Sequence, residues 1–490
     1  VATLTSAGEG DRSTALSAST SPPAPTDLDS VSQTTSSISL SWTAPVVTSG
    51  EAVTAYTLFI DDGAGGAIDT AVTSCTGEAL LTTCTATGLT GGTSYRFEVL
   101  AESNARDSDR SATLTQATSP AAVGAITFGT VTMTSTVLTW SAPSGDAPTG
   151  YIVYRDDGDG ATPSIVAYDG TDDTATTATV TGLSGGTLYS YIVESYSGAG
   201  VGDVSAVATQ STSPATPLDL SSTSQTTTSI SLSWSSSVVQ TGGGAITNYR
   251  VYRNDGDGTA VDVLAYNGRL DTSTGCVVSG LTGGLEYSYQ VTALSLAGES
   301  DRSVVMRSPT SPAQVVDVAS VTQTTSSIAL TWDAPIASSS GDQDATGYVV
   351  YRNDGVGGTD MSTVGYDGSD STSTTGVVSG LVGGREYDFV VSALNVGGEG
   401  DVSAVFHQST SPAAPTALHS TLQTTTSITM SWTAPVTEQG AESVTGYVLY
   451  RNDGSQGGDV TVAIYETSDA ATATTSPARR PARNATRHII

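Results

Sequence analysis

The residues able to do chemistry in this chain are few and scattered. His407, His419 and His488 stand far apart and do not recur with the rest of the pattern. No Ser-His-Asp arrangement, His/Cys metal spacing or phosphate loop accompanies them. Catalysis needs groups that converge, so the sequence argues against an enzyme and implies no cofactor. The best ligand candidates are carboxylates in glycine-rich turns, Asp156-Asp157-Gly158-Asp159 and Asp255-Gly256-Asp257. They resemble the start of a calcium loop, where alternating oxygens wrap a hard cation, but the closing glutamate is missing. Turn formation accounts for the same residues, and Ca2+ at domain junctions stands as the alternative. Cys75 and Cys84 flank Thr-Gly-Glu-Ala-Leu-Leu-Thr-Thr. Two strands joined by that short loop would bring the sulfurs together, contributing up to about 2–3 kcal/mol. Cys276 occupies the repeat position of Cys84 without the partner, as a buried thiol or an intermolecular link.

Composition narrows the classes further. The 490 residues carry 48 acidic and 17 basic side chains, a net charge of −31, and every basic residue is arginine. Such a surface repels phosphate backbones and anionic lipid, so nucleic acid is not a partner. It suits solubility in a salty medium, or the gathering of divalent cations. No run of 18 apolar residues exists, so no segment spans a membrane as a helix. Three cysteines are too few for a disulfide framework.

The elements that hold these residues repeat. The five tryptophans, Trp42, Trp140, Trp234, Trp332 and Trp432, are spaced by 98, 94, 98 and 100 residues. Ser-Pro pairs beginning at Ser21, Ser119, Ser213, Ser311 and Ser411 keep the same rhythm. That period is one small domain, too long for a solenoid repeat. Within a unit, Ser-Ile-Ser-Leu-Ser-Trp at 37–42 alternates with the period of a half-buried strand. Gly-Tyr-Val-Val-Tyr-Arg-Asn-Asp-Gly at 347–355 reads as a strand running into a tight hairpin, with copies at 55–63, 150–158, 248–256 and 446–454. In 380–393, Tyr387, Phe389, Val391 and Ala393 alternate toward the core. No sustained helical period appears, and the unit is all-β.

The tryptophan strand, the Tyr-x-Val strand and the Leu-x5-Tyr-x-Phe-x-Val-x-Ala segment together resemble a fibronectin type III domain. The resemblance implies seven-stranded immunoglobulin-like sandwiches in tandem, and short Pro-containing linkers make the array an extended rod. It also implies a tyrosine corner, in which the phenol oxygen bonds back to the backbone, at Leu89 with Tyr95, Leu183 with Tyr189, Leu281 with Tyr287 and Leu381 with Tyr387. The family usually has proline after that leucine. Gly-Gly stands nearby here, as at Gly91-Gly92, which implies a more flexible turn. Some family members bind integrins through Arg-Gly-Asp. The matching loops carry Asn104-Ala105-Arg106-Asp107 and Gly398-Glu399-Gly400-Asp401, so that function is not carried over.

The units expected are 21–118, 119–212, 213–310 and 311–410, with 411–490 an incomplete fifth. Residues 1–13 align with 291–303, so 1–20 read as the closing strands of an upstream domain or as a donor strand for a neighbour. The chain stops near the repeat position where it begins, which favours an excerpt of a longer periodic protein. The tail 476–490 breaks the pattern with four arginines, as a basic anchor or a shifted reading frame, and holds the Asn484-Ala485-Thr486 sequon. Abundant Ser and Thr suit O-glycosylation. The leading expectation is an extracellular structural glycoprotein, self-associating head-to-tail or laterally into a filament, sheath or matrix. An adhesion or receptor ectodomain with a cell-surface or glycan partner is one alternative. A spacer array in a secreted carbohydrate-active enzyme is another.

Overall fold

Alternation of apolar and polar residues dictates strands throughout, and the computed structural model is all-β. The structure describes residues 1–16, 19–48, 51–76, 80–240, 242–335, 343–436, 443–452, 460–467 and 475–479. In the fourth unit, Val316–Gln323, Ser327–Asp333 and Thr375–Ser379 form one antiparallel sheet, with Ser327–Asp333 in the middle. Thr363–Gly368, Gly347–Arg352, Glu386–Asn395 and Phe406–Ser409 form the second sheet in that order. A two-residue strand, Gly398–Glu399, folds back on the end of Glu386–Asn395. The first three units repeat this pair of sheets.

The core lies between the sheets. Ile328, Leu330 and Trp332 point inward from one sheet, and Tyr348, Val350, Phe389, Val391 and Ala393 from the other. Trp332 packs on Tyr348 with ring centroids 5.4 Å apart, and the same pair recurs as Trp42–Tyr56, Trp140–Tyr151, Trp234–Tyr249 and Trp432–Tyr447. Each such pair is worth about 0.5–1.5 kcal/mol beyond its buried area.

The chain begins with a small hairpin. Leu4 pairs with Glu9 and Thr5 with Gly8, the register that Leu294 and Ser295 keep with Glu299 and Gly298. In the fifth unit Thr416–Gln423, Ser427–Thr433 and Thr475–Arg479 form one sheet, and Tyr447–Arg451 pairs with Val462–Thr467. The rest of the basic tail, including the sequon and His488, lies outside the described residues. Among the described residues no helix is long and apolar enough to cross a membrane.

One local expectation fails. Asn353-Asp354-Gly355 does not close a tight hairpin, because the partner strand begins only at Thr363. Asn353 is buried at 2% exposure and its side chain is committed elsewhere. The Gly355 and Asp388 N–H groups donate to its Oδ1, and its Nδ2 donates to the Gly358 carbonyl. The sequence signature of a turn is here the signature of a buried clamp between two strands.

Candidate functional site

That clamp recurs, and it decides the fate of the acidic turns. Asp61, Asp156 and Asn254 occupy the place of Asn353 and are likewise buried. Asp156 accepts from the Ser190 and Gly160 N–H groups, and Asn254 from the Ser288 N–H. Asp61 accepts from the Arg96 and Gly63 N–H groups and from the Arg96 guanidinium at 2.9 Å. Burial alone would raise the Asp61 carboxyl, but these donors outweigh it and hold it below the ordinary range. Asp157, Asp159, Asp255 and Asp257 are exposed. Asp157 Oδ1 accepts from the Asp159 N–H, and Asp159 Oδ1 from the Ala161 N–H, which is the main cause holding Asp159 below its ordinary range. The Thr259 hydroxyl and N–H do the same for Asp257. The Asp157, Asp159 and Asp257 oxygens serve their own turns. Among the described residues no three His, Cys, Asp or Glu side chains gather where they could hold a metal ion.

Cys75 and Cys84 are joined by a disulfide with Cα atoms 5.8 Å apart. Strand register shows what the bridge replaces. Cys84 faces Leu40, as Ala178 faces Leu138, Cys276 faces Leu232 and Gly376 faces Leu330. Across from these small residues the other units place Tyr168, Tyr266 and Tyr366, and a Cβ on Gly376 would run into the Tyr366 ring at 2.7 Å. Cys276 is a free thiol, and burial pushes it up to about 12. Its absent partner position is filled by Tyr266. Among the described residues the two histidines stay apart: His407 pairs with Asp388, and His419 Nδ1 donates to the Ala417 carbonyl at 2.7 Å.

The four tyrosine corners share one geometry. Tyr95, Tyr189, Tyr287 and Tyr387 each accept, through the phenol oxygen, a hydrogen bond of 2.9–3.0 Å from the N–H five residues back. Leu183, Leu281 and Leu381 are buried beside them, and Leu89 is partly buried. The Gly-Gly between leucine and tyrosine does not act as loose chain. Gly92, Gly186, Gly284 and Gly384 have φ of 69°, 69°, 80° and 74°, a region that favours glycine. Each donates its N–H to the carbonyl of the linker serine, Ser119, Ser213, Ser311 or Ser411.

What gathers is therefore the junction. Sequence reading took the short Pro-containing linkers, such as 213–217, to be stiff, but the Thr-Ser at their start is also wired into both neighbours. Thr118, Thr212 and Thr310 accept from the preceding unit and donate back to a carbonyl of its Gly-Gly turn region. Ser119, Ser213 and Ser311 donate through Oγ to Ala199, Ala297 and Gly397 of the following unit. The following unit returns the contact: the Asp146, Gln240 and Gln343 N–H groups donate to the carbonyls of Gly92, Gly186 and Gly284. Asp401, in the loop matched to the integrin motif, accepts from Thr227 of the preceding unit at 2.7 Å. Asp107, in the other such loop, accepts from the Ser103 N–H. Each neutral hydrogen bond contributes about 0.5–1.5 kcal/mol net. The signal was present in the threonine that precedes the Ser-Pro of every repeat, Thr20, Thr118, Thr212, Thr310 and Thr410, but polar composition disguised it as linker.

With two sheets per unit, a tryptophan core and a tyrosine corner in place, the class is a tandem array of sandwich domains. The chain belongs to the fibronectin type III family, whose domain matches residues 23–117, 121–211, 215–308 and 311–409. Exoglucanase B of Cellulomonas fimi is 30% identical over 320 residues, 61% of this chain and 26% of that protein. Receptor-type tyrosine-protein phosphatase H of Homo sapiens is 32% identical over 428 residues, 86% of this chain and 35% of that protein. Chitinase A1 of Niallia circulans is 32% identical over 200 residues, 38% of this chain and 24% of that protein. The chain spans about a quarter to a third of the length of these relatives.

Proposed function

We propose that this chain is a non-catalytic extracellular structural array whose task is to hold a distance, as a segment of a filament, sheath or matrix polymer. The observation that carries this reading is the junction: three successive linkers are bonded to the unit on each side. Such linkers resist bending, which a spacer needs and a set of independent binding beads does not. The Cys75–Cys84 bridge supports an oxidising, extracellular setting. The charge of −31 supports solubility with few unspecific contacts. Head-to-tail or lateral self-association would extend the array, with O-glycans on its Ser/Thr surface.

A second reading, a spacer in a secreted carbohydrate-active enzyme, draws on the kinship with an exoglucanase and a chitinase. A receptor ectodomain draws in the same way on the phosphatase. Electron microscopy of native material separates these. Long filaments support the polymer, and discrete rods ending in a globular body support the enzyme spacer. Small-angle scattering tests the stiffness both require. A ten-residue strand such as Glu386–Asn395 spans roughly 33 Å at ~3.3 Å per residue. Four units in line therefore give a longest dimension of roughly 130 Å or more, and a much shorter one would refute a stiff array.

A further inference from the structure

We propose, resting on the reading of the chain as a self-associating array, that the outer faces of the three-stranded sheets in the second, third and fourth domains are the lateral contact surface for a second copy of this chain. Strand register places the residues. In the third domain Ile230, Leu232 and Trp234 of Ser229–Ser235 face the core, so Ser229, Ser231 and Ser233 face outward. Ser231 lies between Ser224 on one flanking strand and Val277 on the other. In the second domain Thr139 lies between Thr127 and Thr177, and Val137 beside Thr179. In the fourth, Ala329 lies between Thr322 and Val377. Asp219, Asp317 and Asp333 sit at one end of these sheets, where the first strand begins and the middle strand ends. The rest of each face is neutral, in a chain of net charge −31. The opposite sheets carry ionised groups, such as Arg250 with Glu299 at 2.6 Å and Glu194 with the Tyr154 and Tyr196 hydroxyls. The first domain sets Asp29 beside Ser41 and the fifth sets Arg479 beside Ser427, so neither extends the neutral surface.

Burying a hydroxyl costs free energy unless it is hydrogen-bonded, and here the bonds are already made within the sheet. Ser221 meets Ser233 at 3.2 Å and Ser224 meets Ser231 at 2.9 Å. Thr127, Thr177 and Thr331 donate to the carbonyls of Thr139, Leu138 and Thr374. Such hydroxyls can be covered without losing a partner. Beside them Val277 and Val377 are 61% and 56% exposed. Charge and size point to the occupant. A second copy carries the same excess of acid, so its approach through a charged face is opposed. Face to face through the neutral sheets, both sets of carboxylates stay in water. Each face is three strands wide and, on its outer pair, five residue pairs long, about 14 Å by about 17 Å or roughly 240 Å2. One is too small to hold a partner, but three give roughly 700 Å2 a side, close to the roughly 800 Å2 per partner of a stable interface. Engaging all three at once needs a partner whose faces recur at the same pitch, and a second copy has them.

The test is sedimentation of the full chain over a range of concentrations. The unmodified chain associates reversibly. It does so more strongly as salt rises from about 0.1 M to about 1 M, because the Debye length falls from about 10 Å to about 3 Å and repulsion between copies is screened. Thr179→Glu, Val277→Glu and Val377→Glu each place a carboxylate on an exposed position of one face. Each lowers the association constant about tenfold or more, since like charges meet across the interface, and the three together leave a monomer. Thr209→Glu puts the same charge on the other sheet of the second domain and leaves association unchanged. Circular dichroism checks that each variant is folded. A chain that is monomeric at every concentration and salt overturns the proposal, as does association that weakens with salt, and neither result needs a variant to fold. Equal loss in Thr179→Glu and Thr209→Glu overturns it too. Electron microscopy keeps the two failures apart. Single-file filaments that never pair side by side overturn the lateral surface and leave the structural array standing, since head-to-tail growth does not use these faces. A monomer that instead binds insoluble cellulose, and loses that binding in the triple variant, overturns the proposal and gives the faces to a neutral polysaccharide.

Discussion

Two tyrosines on one strand should answer the same deletion with opposite signs. Tyr189 and Tyr191 both lie in Leu188–Ser197 and both are buried. Tyr189 accepts from the Ser184 N–H at 3.0 Å, so Tyr189→Phe leaves that donor unpaired and costs the second domain about 1–3 kcal/mol. Tyr191 is 0% exposed and its hydroxyl has no partner. Burial pushes its phenol well above the ordinary value, the behaviour of a hydroxyl in apolar surroundings. The equivalent positions in the first and fourth domains are Phe97 and Phe389, packed on their tyrosine corners at 6.5 Å and 6.3 Å against 6.4 Å for Tyr189–Tyr191. The site thus accepts phenylalanine without rearrangement, and Tyr191→Phe removes only an unpaid desolvation. The expected gain is about 1 kcal/mol, the lower end of the cost of an unsatisfied buried group. Hydrogen exchange on peptides covering Ala178–Val193 reads both changes without assuming that the whole array unfolds in one step. Protection rises about fivefold in Tyr191→Phe and falls by at least as much in Tyr189→Phe. Equal loss in both variants would refute the reasoning, since it would mean that the Tyr191 hydroxyl is bonded in solution.

Three further outcomes follow from the same bonds. Asp61 is held below its unfolded value, so its stabilisation is present above about pH 4 and is lost as pH falls through the lower folded value. Hydrogen exchange between pH 3 and pH 7 (roughly the range around an ordinary carboxyl) should show the first domain loosening in acid, with Asp61→Asn, the residue type of Asn254, abolishing that dependence. Thr212→Val keeps the shape but removes the acceptor of the Thr187 N–H and the donor to the Ser184 carbonyl. It should cost about 1–3 kcal/mol in calorimetry and widen the spread of angles between the second and third domains in residual dipolar couplings. Tyr266→Cys places a thiol where Cys75 stands in the first domain, and should be oxidised by air to a disulfide with Cys276, read against the reduced variant as the loss of two hydrogens by intact mass and of both titratable thiols.

Much of this was legible before any coordinates. Alternation in Ser37–Thr43 and its copies set strands, and one tryptophan per repeat set the units, because a half-buried strand must alternate and a sandwich needs a large inward ring. The short loop between Cys75 and Cys84 put two cysteines on neighbouring strands. The buried clamp was misread, since Asn-Asp-Gly is chosen by tight turns and also by a loop whose first residue must bond to another strand. The local sequence is the same, and only the distant Asp388 N–H distinguishes them. The Gly-Gly turns were read as slack for a similar reason. Positive φ and room for a neighbour both select glycine, and the neighbour belongs to the next domain. A Cβ at Gly185 would meet the Ala215 backbone at 2.9 Å, and one at Gly283 the Ala313 backbone at 3.0 Å. The exchange of Tyr168 for Cys75 was visible in aligned repeats but had no meaning until the two sheets were seen to pack, bringing Tyr168 into the core that holds Ala178 and joining Cys75 to Cys84.

The buried linkers also bear on how such a chain is digested. Multidomain proteins are commonly nicked first between domains, where the backbone is exposed and free to enter a protease cleft. Here Thr118-Ser119, Thr212-Ser213 and Thr310-Ser311 are almost wholly covered, with their N–H groups already committed. A protease in the surrounding medium would meet its accessible backbone in surface loops instead. Cuts there leave the sandwich and its neighbours still bonded, so the array would keep its length through early damage rather than separate into single domains.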